Sequence, residues 1–221
     1  MRSLPASLAL PRREAAALGY NLVLLLLIAL TLALGAAFWF DRAMNADAPD
    51  RSGRMLVRNV SGVDLTIPSA WMRNASGSSL GFNSEVNLRL TLAPEGAAPF
   101  ELGLDIVPRS RARPSAVLLD TVYVHQFAPE TLAGPAGLVG KPLRPGSGLA
   151  GESVWYDPLA AEPFVARCLP ALGTGEPDRC LRTIALPRGL SAVLGFPAPA
   201  LGAWKEFDAA LGEALRRIGA L

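Results

Sequence analysis

The sequence predicts an α+β protein: an N-terminal transmembrane helix, a short tether, and an antiparallel β-rich exported domain, sheet or sandwich, covered by a C-terminal amphipathic helix. Three observations predict it. Ala15 to Phe40 is a run of 26 residues without a charge. Two central segments alternate apolar and polar residues with period two, as half-buried strands do. The last twenty or so residues change to a three- and four-residue period, as one face of a helix does.

The membrane segment comes first. Its centre, Leu22 to Phe40, is nearly all Leu, Ile, Val, Ala and Phe. As a helix these residues rise about 28 Å, close to the hydrocarbon thickness of a bilayer. Tyr20 stands at one edge and Phe38, Trp39 and Phe40 at the other, where aromatic rings favour the interface. Gly35-Ala36-Ala37 also offers a small-residue site for a signal peptidase. The run is longer than an ordinary signal sequence and aromatics follow it at once, which favours an uncleaved anchor. Arg12 and Arg13 stand just before the run, whereas Asp41, Asp47 and Asp50 outnumber Arg42 after it. That bias places residues 1–14 in the cytoplasm, 15–40 in the bilayer, and everything later outside.

Residues 41–54 are small and polar and read as the tether, leaving 55–221 as the domain. Val86–Leu92 (VNLRLTL) and Glu101–Val107 (ELGLDIV) alternate strictly, and the prolines and glycine between them suit a hairpin loop. Val117–Phe127 (VLLDTVYVHQF) is rich in β-formers and is expected as a longer strand. Further strands are expected at Met55–Val60, Val63–Ile67, Ser153–Tyr156, Phe164–Leu169, Leu181–Leu186 and Leu190–Gly195. Gly134–Gly151 is rich in Gly and Pro and reads as a long surface loop. Leu201, Trp204, Phe207, Leu211, Leu215 and Ile218 form one apolar stripe, predicting a helix over about 200–219 that packs on the sheet.

Composition narrows function. Net charge is +2, from 21 basic and 19 acidic residues, too balanced for a nucleic-acid binder. One His and two Cys leave little from which to build a metal site, and no cofactor is implied. Cys168 and Cys180 flank a turn-rich segment, and outside the cytoplasm such a pair reads as a structural disulfide. Gly146–Gly151 matches G-x-G-x-x-G, but prolines precede it and a strand-like run follows, so no nucleotide site is expected. Gly140-Lys141 lacks the remaining residues of a phosphate loop. Gly77–Gly81 matches G-x-S-x-G with Ser79 in the nucleophile's place and His125 downstream. It lacks the strand before and helix after that the strained elbow needs. His125 instead reads as a strand residue, and the Asn59 and Asn74 triplets as chance glycosylation matches.

Leu65–Arg73 (LTIPSAWMR), Pro163–Leu169 (PFVARCL) and Gly189–Pro197 (GLSAVLGFP), with the N-terminal span, resemble single-span, membrane-anchored periplasmic proteins of alphaproteobacterial type. The resemblance brings no activity with it. It implies a strand ending at Ile67-Pro68 and a hairpin braced by Cys168 and Cys180, in a bacterial inner-membrane protein. The expected function is therefore non-enzymatic: a binding or accessory component of an envelope complex, with the lipid bilayer and another envelope protein as partners. Two alternatives stay open, a periplasmic carrier or sensor of a lipid or small molecule, and an envelope hydrolase using carboxylates from separate loops.

Overall fold

The computed structural model describes residues 24–39, 53–73, 82–144, 146, 151–171 and 173–221. The chain divides into two compact units, Met1–Ala48 and Pro49–Leu221. In the first unit, residues 24–39 form helix α1, and every one of them is exposed, Phe38 and Trp39 to 66% and 77%. Sixteen residues rise about 24 Å. Among the described residues no helix is long and apolar enough to cross a membrane. Arg12, Arg13, Tyr20, Phe40 and tether residues 41–52 lie outside the described residues.

The second unit begins with a hairpin of β1 (Met55–Val60) and β2 (Val63–Pro68). Its two-residue turn, Ser61-Gly62, has positive φ at both positions (51° and 85°), which matches the right-handed twist of the flanking strands. Asn59 has a structural task here: its Oδ1 accepts the Gly62 N–H at 3.0 Å. A two-residue strand, β3 (Phe82–Asn83), adds to β1 in parallel, a pairing too short to leave a sequence signal.

The main sheet has seven strands: β4 (Val86–Leu92), β5 (Phe100–Pro108), β6 (Val139–Pro142), β7 (Ser153–Tyr156), β8 (Val165–Leu169), β9 (Arg179–Ala185) and β10 (Leu190–Pro197). Their spatial order is β4-β5-β10-β9-β8-β7-β6, and all neighbours are antiparallel. Alternation dictates the layering. Leu88, Leu90, Leu102, Leu104, Leu194 and Phe196 point to one face and are buried, while Arg89, Thr91 and Glu101 point away and are exposed. Onto the buried face packs α3 (Trp204–Arg217), entered through a 3-10 segment at Ala198–Ala203. Phe207, Leu211, Leu215 and Ile218 are at most 1% exposed, Leu201 is buried, and Trp204 is half-buried. The β1–β2 hairpin covers the same core with Val60, Val63, Leu65 and Ile67, and the Thr66 N–H donates to the Ile218 carbonyl at 3.0 Å.

Two expectations are corrected. Val117–Phe127 is not a strand. Helix α2 (Ser115–Leu118) runs into a π turn at Leu119–Tyr123 and a 3-10 turn at Val124–Gln126, which also removes His125 from any sheet. The buried positions are Ser115, Leu119 and Tyr123, a four-residue repeat, and Leu119 and Tyr123 pack against Leu143, Val154 and Val165 on the sheet's second face. Packing of that stripe outweighs the β-propensity of the valines. Gly134–Gly151 is likewise not one loop, because it contains the edge strand β6. Gly140 is required there: a Cβ would stand 2.5 Å from the Trp155 ring, which also lies against Gly134. Lys141 ties the neighbouring segment down, donating from Nζ to the carbonyls of Pro129 and Glu130 and to Thr131 Oγ1.

Candidate functional site

The central feature of the main sheet is a parting between two adjacent strands. Cys168 on β8 and Cys180 on β9 face each other directly, Cα atoms 3.9 Å apart, and are joined by a disulfide. One step further the ladder stops at Arg167↔Leu181, although β9 continues to Ala185. The pairing of β9 with β10 alternates in bonding, and Leu186 N–H to Leu190 O (2.9 Å) fixes its phase. By that phase Thr183 and Ala185 direct their main-chain groups towards the side that β8 has left. The start of α2 enters the parting. Pro114, extended by its ψ of 140° at φ −56°, precedes the first helical residue, and Ser115 Oγ accepts the Thr183 N–H at 2.8 Å.

The parting opens into a groove of about 580 Å³. Val117 of α2 and Asp120 of the π turn line one side, and α3 lines the other, with Leu211 and Leu215 only 1% exposed. Ala161, Glu162, Pro163 and Thr183–Leu186 are further lining residues. Arg182 also lines it and is 6% exposed. Its guanidinium sits 4.2 Å from the centre of the Phe164 ring, which lowers the cost of burying the charge. It donates to both oxygens of Asp208, with Nη2 to Oδ2 at 2.9 Å. Because the Asp208 side chain is 55% exposed, this pair adds modestly to stability; its fork geometry chiefly fixes Arg182.

A second hollow, about 570 Å³, lies beyond the disulfide and is lined by Leu132, Pro135, Leu143, Trp155 and Leu201. Behind the first groove, Arg167 donates to Glu152 at 2.6 Å. That bond holds the guanidinium pKa above its ordinary value. Burial pushes the neighbouring Tyr123 hydroxyl up, against the opposing pull of Arg167.

Asp105, on the sheet's second face, has its carboxyl pKa pushed above the ordinary 3.8 by burial, with Arg73 opposing and Glu85 adding to the shift. The folded protein thus holds this proton more tightly than the unfolded chain. The stability it contributes is complete below the ordinary value and is lost as pH rises through the folded one. Asp105→Asn is therefore expected to lose less stability than wild type between pH 4 and pH 7. Urea midpoints at the two pH values measure this; parallel profiles would contradict it.

Ser79 lies outside the described residues, and His125 is exposed on its 3-10 turn. Asp157 Oδ1 accepts the Leu159 N–H at 2.9 Å, a turn contact. Among the described residues no group of three His, Cys, Asp or Glu is placed to hold a metal ion. Ser115 and Arg182 give no advance signal of their positions. Arg182 occupies an inward register position that alternation would give to an aliphatic residue, and Leu181 is turned outward, 44% exposed.

No protein-family model and no curated protein matches the chain. Among solved structures, it is similar to Smlt3025, an immunity protein of the Stenotrophomonas maltophilia type IV secretion system. The TM-score is 0.50 at 12% identity, over 75% of this chain and 93% of that one. At that identity the likeness is one of fold: the antiparallel sheet with its C-terminal helix is an arrangement that a second, distantly similar sequence also adopts.

Proposed function

We propose that the chain is a non-enzymatic binding domain, tethered to the bacterial inner membrane by its apolar N-terminal run and exported to the periplasm, where it engages another envelope protein. The groove beside β9 carries this reading. It offers main-chain groups of a strand edge beside apolar lining residues, while its one cation is locked onto Asp208. The Cys168–Cys180 disulfide fits an oxidising compartment. The fold is shared with an immunity protein of a secretion system, which fits an accessory role at the envelope. A tether of about fourteen residues reaches about 20 Å on average. Such confinement raises the effective concentration towards a membrane-resident partner, often into the millimolar range, so weak contacts suffice.

A reporter active only outside the cytoplasm, fused after Leu221, is expected to be active. Partner capture from detergent-solubilised membranes is expected to survive Ser79→Ala, His125→Ala and Asp157→Ala, and to weaken when residues 1–40 are replaced by a cleaved signal. Cytoplasmic reporter activity would overturn the topology. Loss of the phenotype from one of those substitutions, at normal abundance, would favour an enzyme.

A carrier of a lipid or other small ligand is the second reading, favoured by the apolar hollow around Trp155 and Leu201. Native mass spectrometry distinguishes it by a co-purified small molecule.

A further inference from the structure

We infer that the groove takes an extended, cationic segment of the partner protein, laid along β9 as an added strand. The inference rests on the binding-domain reading and specifies its chemistry. The first ground is the strand edge. Past Leu181, β9 has no ladder partner among the described residues on the β8 side, and Ser115 Oγ at the start of α2 takes one main-chain group there, the Thr183 N–H. By the register, the Thr183 carbonyl and both main-chain groups of Ala185 face the groove, and an extended peptide supplies their natural complement. Ala185 is exposed, so the edge is reachable.

The second ground is shape. The opening, about 580 Å³, runs between α2 and α3, and an extended peptide laid in it sends alternate side chains to opposite walls. The accessible apolar lining includes Val117 and Leu221, 46% and 50% exposed, and beside it stand the exposed acids Asp120 and Glu162.

Charge is the third. The groove is lined by three carboxylates (Asp120, Glu162 and Asp208) and one guanidinium. That guanidinium is bound to Asp208 at one flank, leaving Asp120 and Glu162 exposed with no second cation among the lining residues. A segment alternating basic and aliphatic residues suits this lining: its cations meet Asp120 and Glu162, and its aliphatic side chains meet Val117 and Leu221. An acidic segment would meet like charge, which costs affinity and discriminates against it.

The test uses the full chain in dodecyl maltoside at low salt and two fluorescein-labelled hexapeptides, acetyl-Lys-Val-Lys-Val-Lys-Val-amide and its Glu-for-Lys counterpart. Anisotropy is expected to show the Lys peptide binding at least ten times more tightly. The exposed double variant Asp120→Lys/Glu162→Lys is expected to reverse that preference, and near-wild-type circular dichroism would show that it folds. Hydrogen exchange is expected to slow in residues 183–186 when the Lys peptide binds, a signature that charge attraction elsewhere on the surface would not produce. Equal binding of both peptides, an unreversed preference in the folded double variant, or binding without protection of residues 183–186 would each overturn the inference. Membrane partner capture by the double variant at the wild-type level would also overturn it, while leaving the binding-domain reading in place. Absence of capture by the wild type would instead remove that reading.

Discussion

Phe207→Ala is expected to lower the stability of the domain by about 3–5 kcal/mol, the cost of deleting a phenylalanine ring that neighbours cannot replace. Phe207 is fully buried, with ring centres 4.9 Å from Phe196, 5.7 Å from Phe100 and 5.9 Å from Phe164. These rings come from β10, β5 and the approach to β8, so its loss loosens α3 from three parts of the sheet together. The Arg182 guanidinium lies 5.8 Å from the same ring, so the substitution also removes part of the surface on which that buried charge rests. Urea unfolding followed by circular dichroism measures the change, and Phe207→Leu is expected to recover a good part of it. A loss below about 1 kcal/mol would mean that α3 does not seal the sheet as described.

The second large effect concerns the bridge between β8 and β9. Cys168→Ser is expected to cost about 2–5 kcal/mol, the usual range for a native disulfide in a small exported domain. The two cysteines are twelve residues apart in sequence, and closing so short a loop accounts for roughly 3 kcal/mol in the chain-entropy model. Reduction supplies an internal control: dithiothreitol should lower the wild-type midpoint to near that of Cys168→Ser and leave the variant where it is. Thiol-alkylation mass spectrometry on protein from intact cells should find both cysteines protected. Two freely alkylated thiols would remove the support that the disulfide gives to an exported domain.

These effects fall on parts of the molecule that differ in how far the sequence foretells them. β4 and β5 are legible because one face of each is buried and the other wet, so VNLRLTL and ELGLDIV carry the period of the pleat in their own letters. The C-terminal helix is legible for the same reason at a different period. Residues 117–127 mislead because their composition favours strands while their burial repeats every fourth residue, and only the receiving surface of Val154 and Val165 decides between the two. Strand β6 is hidden because Gly140 and Pro142, ordinary loop residues, answer to the Trp155 ring and to an edge position. The groove is least legible. Its lining comes from segments around residues 115–120, 161–165, 182–186 and 208–215, and no local pattern records that they meet.

The strand order has a consequence for how such a chain acquires its structure. β10, last of the seven strands in sequence, lies between β5 and β9, so two ribbons, β4-β5 and β6-β9, are separate until Leu190–Pro197 arrives. A chain emerging amino-terminus first, from a ribosome or a translocation channel, therefore carries the β4-β5 ribbon with a bare edge for about eighty residues, and the β6-β9 ribbon joins it with a second bare edge just before β10 appears. Pairing Gly103 with Gly195 closes a loop of some ninety residues before any of the central contacts are gained, a slow step in folding. The exposed edges of β5 and β9 are where another nascent chain could pair during that interval. Truncation before Leu190 should accordingly yield an aggregating chain, whereas loss of β6 at the far edge leaves the central junction able to form.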